Sequence, residues 1–420
     1  MVIAVVFDGI EVSDIKCFER VYGQVGPDDG QDIRIRAQRG SQGPVLLSFA
    51  LPGRNYQTVF KVDDRYDMHA ENYTGWDIGG AHLKVACLDN NGVLCTLDQY
   101  ATPLWEGIDR LEAPVTRALN SLPSGNCVHA LTMTGELADC FPGRRDGVMQ
   151  LVDYMSARLG RRNPVYVYAG NQGLMAPERL YGCHTDVASA NWHATATYVA
   201  KHLGSGVLVD LGTTTTDIIP FHEQQVCSLG YTDQERLQTG ELVYTGITRT
   251  PVMAVLEHLP YKGVRQSIAA EYFANMADVY RITGDLDEHF DLMPAADGSG
   301  KTRYHSIKRL ARMLGADYDK SDAMEPWLDV AHHIAEKQFE KIDRAFNKVA
   351  DRPGNPAGKN IVAAGAGRFI IKKLARKNNC GVVDFEDLLP GSDRNMRTAD
   401  NCSTAVAVAA LTRIMRNASG

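Results

Sequence analysis

The sequence predicts an α/β protein of two lobes with a cleft between them, and three observations carry that prediction. At 420 residues the chain exceeds what one hydrophobic core usually serves. Two well-separated stretches, "YTGWDIGGAHLKVACLDNNGVLCTLDQY" at residues 73–100 and "GSGVLVDLGTTTTDIIPF" at residues 204–221, repeat one layout: apolar strand, aspartate, one residue, glycine, small polar loop, return strand. A third stretch, "KNIVAAGAGRFIIKKLARK" at residues 359–377, runs from a short strand through Gly365-Ala366-Gly367 into a helix with Phe369, Ile370 and Leu374 at helical spacing.

Taken in order, "MVIAVVFDGIEV" is strand-like and "GPDDGQDIRIRAQRGSQGP" polar and turn-rich. Residues 1–67 therefore make a marginal unit, either a small accessory domain or, the favoured reading, an upstream-start extension that is not natively made. The first lobe, residues 68–203, holds a strand ending in Asp77-Ile78-Gly79-Gly80, a strand from His82 to Leu88, and a type I′ turn at Asn91-Gly92 into a third strand. Helices around Ile108–Leu122 and strands at Val128–Thr132 and Pro164–Tyr168 complete it. The second lobe, residues 204–420, holds a buried strand at Val207–Leu211 and a loop of four threonines, Thr213 to Thr216, closed by Asp217. A helical insertion follows near residues 264–348, with an amphipathic helix over Glu325–Val349, then the glycine loop and a last helix.

Composition narrows the function classes. Hydrophobic residues at 44% and charged residues at 23% are those of an ordinary globular protein. A net charge of -7 spread along the chain argues against a nucleic-acid partner. "MVIAVVF" has no basic leader and is far shorter than the roughly 18 apolar residues of a membrane span, so a cytoplasmic protein without a membrane partner is expected. Nine cysteines without paired spacing read as reduced core thiols. "GSGKT" at residues 298–302 lacks the spacing and preceding strand of a P-loop, and His332-His333 point to different helix faces.

The chemistry of the three stretches converges on phosphate. Glycine loops let backbone N–H groups face an anion, and a helix N-terminus adds partial positive charge, which makes Gly79, Gly80, Gly212, Thr213, Thr214, Gly365 and Gly367 the candidate cradle. The carboxylates of Asp77, Asp210 and Asp217 can hold Mg²⁺ against phosphate oxygens, and Lys84 supplies a point charge. In "SANWHATA", Trp192 can stack on a substrate ring and Asn191 can bind a polar group, the alternative being a core aromatic with an asparagine cap. Lys301, Arg303 and Arg309 either reach an anionic substrate tail or form a solvated face.

These parts resemble the acetate and sugar kinase, Hsp70 and actin superfamily, the first two stretches matching its phosphate loops and the third its adenosine-type loop. Within it, "GWDIGGAHLK", "VLVDLGTTTTDIIP", "DVASANWHATATYVA" and "NCSTAVAVAAL" resemble the hydantoinase/oxoprolinase-like branch linked to tetrahydromethanopterin-dependent C1 transfer. The resemblance runs from about Tyr73 to near the C-terminus and implies a two-lobed actin-like (ribonuclease H-like) ATPase fold. It also implies a transferase of methanofuran or methylofuran biosynthesis, joining an aminomethylfuran-methyl diphosphate to the phenol of γ-glutamyltyramine or a related tyramine or tyrosine compound and releasing diphosphate.

On that reading the small-molecule partners are the furan diphosphate and the phenolic amine, Mg²⁺ is the expected cofactor, ATP is not expected, and a homodimer is admissible. Asp77 and Lys84 serve the leaving group, and either Asp217 or His82 takes the phenol proton. Two rivals use the same loops on nucleotide: an ATP-dependent kinase or hydantoinase-type enzyme, and an actin- or chaperone-like nucleotide switch.

Overall fold

The computed structural model describes residues 71–390 and 402–419, apart from 161, 162, 181, 354, 356 and 359, together with the backbone of five N-terminal strands. The chain divides into two units, Met1–His69 and Ala70–Gly420. In the first, β1 (Val5–Phe7) pairs with β2 (Ile10–Val12), and β3 (Arg34–Gln38), β4 (Leu46–Leu51) and β5 (Arg54–Val59) form an antiparallel sheet. Apart from β3, the turn-rich stretch over residues 26–44 lies outside the described residues.

The second unit has two sheets of six strands with matching cores. In the first, β6 (Glu71–Ile78), β7 (His82–Leu88) and β8 (Leu94–Ala101) form an antiparallel meander. β9 (Asn126–Met133) runs parallel to β6, β10 (Val165–Tyr168) runs parallel to β9, and β11 (Leu174–Met175) closes the edge. In the second, β12 (Ser205–Leu211), β13 (Thr216–His222) and β14 (Gln225–Val226) are antiparallel, and β15 (Leu242–Val243) pairs with β13. β18 (Ile361–Ala364) and β19 (Val382–Asp384) add parallel strands beside β12. Between β15 and β18 the hairpin of β16 (His258–Tyr261) and β17 (Val264–Ser267) begins the helical insertion. A meander followed by parallel strands, made twice, is the two-lobed actin-like architecture that the sequence predicts.

The repeat sets the register of the site. On β6 and β7, Asp77 stands opposite Lys84, and on β12 and β13, Asp210 stands opposite Asp217. Tyr73 to Ile78 are all buried, as expected of a central strand covered on both faces.

The turn between β7 and β8 differs from the expected type I′. Gly92 alone adopts a left-handed backbone, φ +85°, its N–H donates to Asp89 O at 2.9 Å, and Asp89 and Val93 close the loop at 2.9 Å. The Asp89 carboxylate accepts from the Asn91 and Val93 amides at 2.9 and 2.8 Å, stabilising a longer turn with the glycine at its bulge.

Three apolar clusters hold the lobes. One lies outside the first sheet with the helices Glu112–Ser121 and Arg144–Leu159. Another lies outside the second sheet with the insertion helices Met276–Thr283, Arg303–Met313 and Glu325–Ala350. The central one joins both sheets through the helices Asn191–His202 and Ser403–Ser419. The first of these central helices lies on β12 to β14 and the second on β6, β7 and β9, so the lobes exchange helices and neither 68–203 nor 204–420 packs as a self-contained segment. The alanine-rich helix Ser403–Ser419 comes so close to β6 that a Cβ on Gly75 would lie 1.9 Å from Ala405 O.

Within the insertion, Arg309 is fully buried, bonded to Asp278 at 2.6 Å and Asp297 at 3.0 Å. It is thus neither a solvated residue nor a substrate anchor; half-buried Lys301 turns to the Asp291 carbonyl at 2.5 Å, whereas Arg303 is exposed, as the solvated-face reading expects, with its Nε 3.4 Å from the Arg281 carbonyl. Among the described residues every cysteine is a free thiol; Cys87, Cys127 and Cys402 are buried, whereas Cys95 is exposed, so the core-thiol reading holds only in part. Among the same residues no helix is long and apolar enough to cross a membrane.

Candidate functional site

The strand ends that carry the two Asp-x-Gly loops face each other across a cleft of about 480 Å³. Its floor is acidic and buried: Asp77, Asp210 and Asp217 all line it, with His82 and Lys84 from β7. Gly79, Gly80, Gly212, Thr213 and Thr214 line it as expected. The amides of Gly79 and Gly212 donate within their own loops, to His82 O and Thr215 O at 2.9 Å each. Among the described residues the amides of Gly80, Thr213 and Thr214 make no backbone hydrogen bond, and a Cβ at Gly80 would meet nothing within 4 Å. Such a row of amide donors suits an anion.

The charged groups of the floor are tuned by burial. Lys84 Nζ lies 3.6 Å from Asp77 Oδ2, while Asp77 Oδ1 is buried with no hydrogen-bond partner. Burial raises the Asp77 pKa, against the pull of Lys84. Burial alone would lower Lys84, but Asp77, Cys402 and Asp210 outweigh it and leave its pKa above the ordinary value. Asp210 is pushed up to about 7, first by burial and then by the charge of Asp217 opposite it; its Oδ2 accepts from Ser403 Oγ at 2.9 Å. His82 is only 6% exposed, and its Nε2 has no partner. Burial, reinforced by Lys84 and Arg249, lowers it to about 3, so the imidazole is neutral.

Several expected contacts fall elsewhere. Asp217 is not free for a metal: its Oδ1 lies 2.5 Å from Arg236 Nη2. Trp192 does not face the cleft but stacks on the Arg236 guanidinium, 4.1 Å from ring centre to Cζ, while its neighbour Asn191 does line the cavity. Gly365 and Gly367 lie behind the wall, where a Cβ would come within 2.4 Å of Asp210 Oδ1 and 2.3 Å of Leu211 Cγ respectively. They bring β18 and its following helix against β12 and do not form the cavity surface.

Sequence reasoning missed Arg236, Trp105, Tyr244 and Arg249, all on the cleft wall. The one available signal was the capping box of Thr232 and Glu235, which marks a helix just after the threonine hairpin and so places Arg236 near it.

A divalent cation fits this floor, although among the described residues no three His, Cys, Asp or Glu side chains gather as a metal cage. The cavity wall carries three cationic side chains, Lys84, Arg236 and Arg249, against five aspartates, a poor balance for a polyphosphate without added positive charge. Mg²⁺ commonly takes only one or two carboxylates and completes its shell with phosphate and water. The unpartnered Asp77 Oδ1 is the atom that would hold it.

A model of the hydantoinase/oxoprolinase family matches residues 128–388. The chain is 33% identical over 308 residues, 73% of its length and 89% of the relative's, to the (4-{4-[2-(gamma-L-glutamylamino)ethyl]phenoxymethyl}furan-2-yl)methanamine synthase of Methanocaldococcus jannaschii. It is 28% identical over 208 residues, 48% of its length and 91% of the relative's, to the protein of the same name from Methanococcus vannielii. Among solved structures, a nucleotide-free acetone carboxylase aligns with TM-score 0.44 at 11% identity, covering 81% of this chain and 70% of that one. A ROK family glucokinase from Streptomyces griseus with glucose and AMPPNP aligns with TM-score 0.37 at 16% identity, covering 81% and 98%. With the family model spanning well over half of the chain and a one-third-identical relative matched along most of its length, the chain belongs to the hydantoinase/oxoprolinase family.

Proposed function

We propose that the protein is a transferase of methanofuran-type cofactor biosynthesis, coupling an aminomethylfuran-methyl diphosphate to the phenol of γ-glutamyltyramine or a related tyramine or tyrosine compound. The observation that carries this reading is the relationship to the Methanocaldococcus jannaschii synthase, whose name describes an aryl ether of a methylene on a furan ring. In the reaction the bond between the furan-ring methylene carbon and the diphosphate oxygen breaks, the phenol oxygen bonds to that carbon, and diphosphate and the phenol proton leave.

The furan stabilises positive charge on the carbon, so catalysis centres on the departing diphosphate and on the phenol proton. The free amides of Gly80, Thr213 and Thr214 cradle the diphosphate, and Lys84 adds charge from β7. Mg²⁺ held by Asp77 would supply the electrostatic stabilisation that the acidic floor lacks. For the proton, Asp210 is the best-tuned acceptor: its pKa of about 7 matches general-base work near neutrality, and it forms no ion pair among the described residues. Asp217 is engaged by Arg236, and His82, at about 3, is too weak a base.

The test is incubation of the full chain with Mg²⁺, the furan diphosphate and γ-glutamyltyramine or tyramine in the absence of ATP, following diphosphate release and the ether by mass spectrometry. Product without ATP, reduced by about 10² to 10³ in Asp77→Asn, supports the transferase. Turnover only when ATP is added would return the loops to a nucleotide role and sink this reading.

A further inference from the structure

The rim of the cleft has a chemistry that the buried floor does not require. Three large apolar side chains on its wall are well exposed: Trp105 at 38%, Leu137 at 46% and Tyr244 at 63%. They come from both lobes, Trp105 following β8, Leu137 following β9, and Tyr244 following β15. A floor built for diphosphate and metal has no use for them, whereas an aromatic or alkyl part of a substrate does.

The rim also carries charge of both signs without ion-pair partners among the described residues. Arg249, exposed, forms no salt bridge there, although the other two cations of the wall are engaged with Asp77 and Asp217. Its backbone N–H donates to Thr213 O at 2.9 Å, which fixes it beside the threonine loop, and its guanidinium lies 5.9 Å from the centre of the Trp105 ring. Exposed Asp139 on the first lobe also forms no salt bridge among those residues. A cation and an anion lining the same rim, beside exposed apolar side chains, match the zwitterionic end of an α-amino acid attached to a hydrophobic stem.

We infer that this rim recognises the far end of the phenolic acceptor: Arg249 binds its free α-carboxylate, Asp139 its α-ammonium, and Trp105, Leu137 and Tyr244 the aryl-ethyl stem. The inference rests on the transferase reading and adds to it the residues that select a γ-glutamyl-type conjugate over the bare amine. It also gives the geometry a direction, with the phenol oxygen toward Asp210 on the floor and the amino-acid end outward. Because the clamp takes residues from both lobes, acceptor binding draws them together over the leaving group.

The experiment compares γ-glutamyltyramine with tyramine as acceptors for the full chain, its Arg249→Met and Arg249→Lys variants and Asp139→Asn, with the furan diphosphate and Mg²⁺ held constant. The readout is the ratio of kcat/KM between the two acceptors. The wild type prefers γ-glutamyltyramine, and Arg249→Met lowers that preference by about tenfold or more, mainly through KM, with Arg249→Lys intermediate. Asp139→Asn lowers it by a smaller factor. An equal loss for both acceptors, or no loss, overturns the rim assignment while leaving the transferase standing. A wild type that turns over neither acceptor overturns the transferase reading itself, and the rim assignment with it. Arg249 and Asp139 are exposed, so thermal unfolding of each variant should match the wild type, which separates loss of recognition from loss of fold.

Discussion

Arg236 Nη2 lies 2.5 Å from Asp217 Oδ1 while the face of the same guanidinium covers Trp192, so one buried arginine joins the second Asp hairpin to the central helix Asn191–His202. It is 2% exposed and donates also to the Glu241 carbonyl at 3.2 Å. Removing it would leave Asp217, which stands opposite Asp210, without the cation beside it.

Arg236→Met is therefore expected to destabilise the protein by about 3 to 5 kcal/mol near neutral pH, since it strands a buried charge. Arg236→Lys restores little, because an ammonium lacks both the flat face that Trp192 covers and the forked donors. Denaturant unfolding of both variants and of Asp217→Asn, arranged as a double-mutant cycle, measures the coupling; a coupling near zero would show that the pair is incidental.

Two glycines of one motif should behave in opposite ways. Gly75→Ala drives a methyl into the Ala405 carbonyl and should unfold the protein or cost several kcal/mol, because the obstacle is backbone. Gly80→Ala meets open cleft and should keep the wild-type melting temperature while weakening retention of inorganic diphosphate, the ligand whose approach needs the bare backbone. Thermal melts and calorimetric titration with Mg²⁺ and diphosphate separate the two effects, and matching phenotypes would contradict the packing described.

Glu136 gives a pH signature. It accepts from Ser189 Oγ at 2.7 Å, its Oε2 has no partner, and burial, partly opposed by that hydrogen bond, pushes it up to about 7. A carboxyl whose pKa is raised on folding stabilises the fold fully below its unfolded pKa and loses that contribution as pH rises through the folded one. The shift from 4.5 corresponds to about 3 kcal/mol. Glu136→Gln should therefore gain stability relative to the wild type between about pH 5 and pH 7.5, the gain levelling off above that range. The buried histidines, His82, His129 and His193, are shifted downward and act with opposite sign below pH 6.5, but they are common to both proteins and drop out of the difference. A difference independent of pH would remove Glu136 from the account.

The strands and loops were legible because their signals are local. Asp-x-Gly between apolar runs fixes a strand end, and so the extent of β7 and the buried course of β12 follow directly from the pattern. What was not legible depends on which surfaces meet. Trp192 reads either as a ring for a substrate or as a core aromatic, and the fold decides for the buried position by supplying Arg236 as its partner. Gly365 and Gly367 read as a phosphate cradle, but the same freedom from a side chain serves close packing against Asp210 and Leu211. Arg309, in a basic segment, is buried only because Asp278 and Asp297 meet it from other turns of the chain. Arg249 and Trp105 acquire meaning only as neighbours across a cleft.

The helix Ser403–Ser419 also imposes an order in time. It covers β6, pairs Arg416 with Glu71 across 345 residues of chain, and brings Ser403 to Asp210 across 193. During translation the first sheet leaves the ribosome with its inner face bare, and at ordinary elongation rates it waits on the order of tens of seconds for that cover. A nascent chain that has made both Asp hairpins still lacks the hydroxyl that orients Asp210. Ribosome-bound intermediates thus present apolar strand surface to chaperones while remaining catalytically silent, and activity begins only after the helix has emerged and docked.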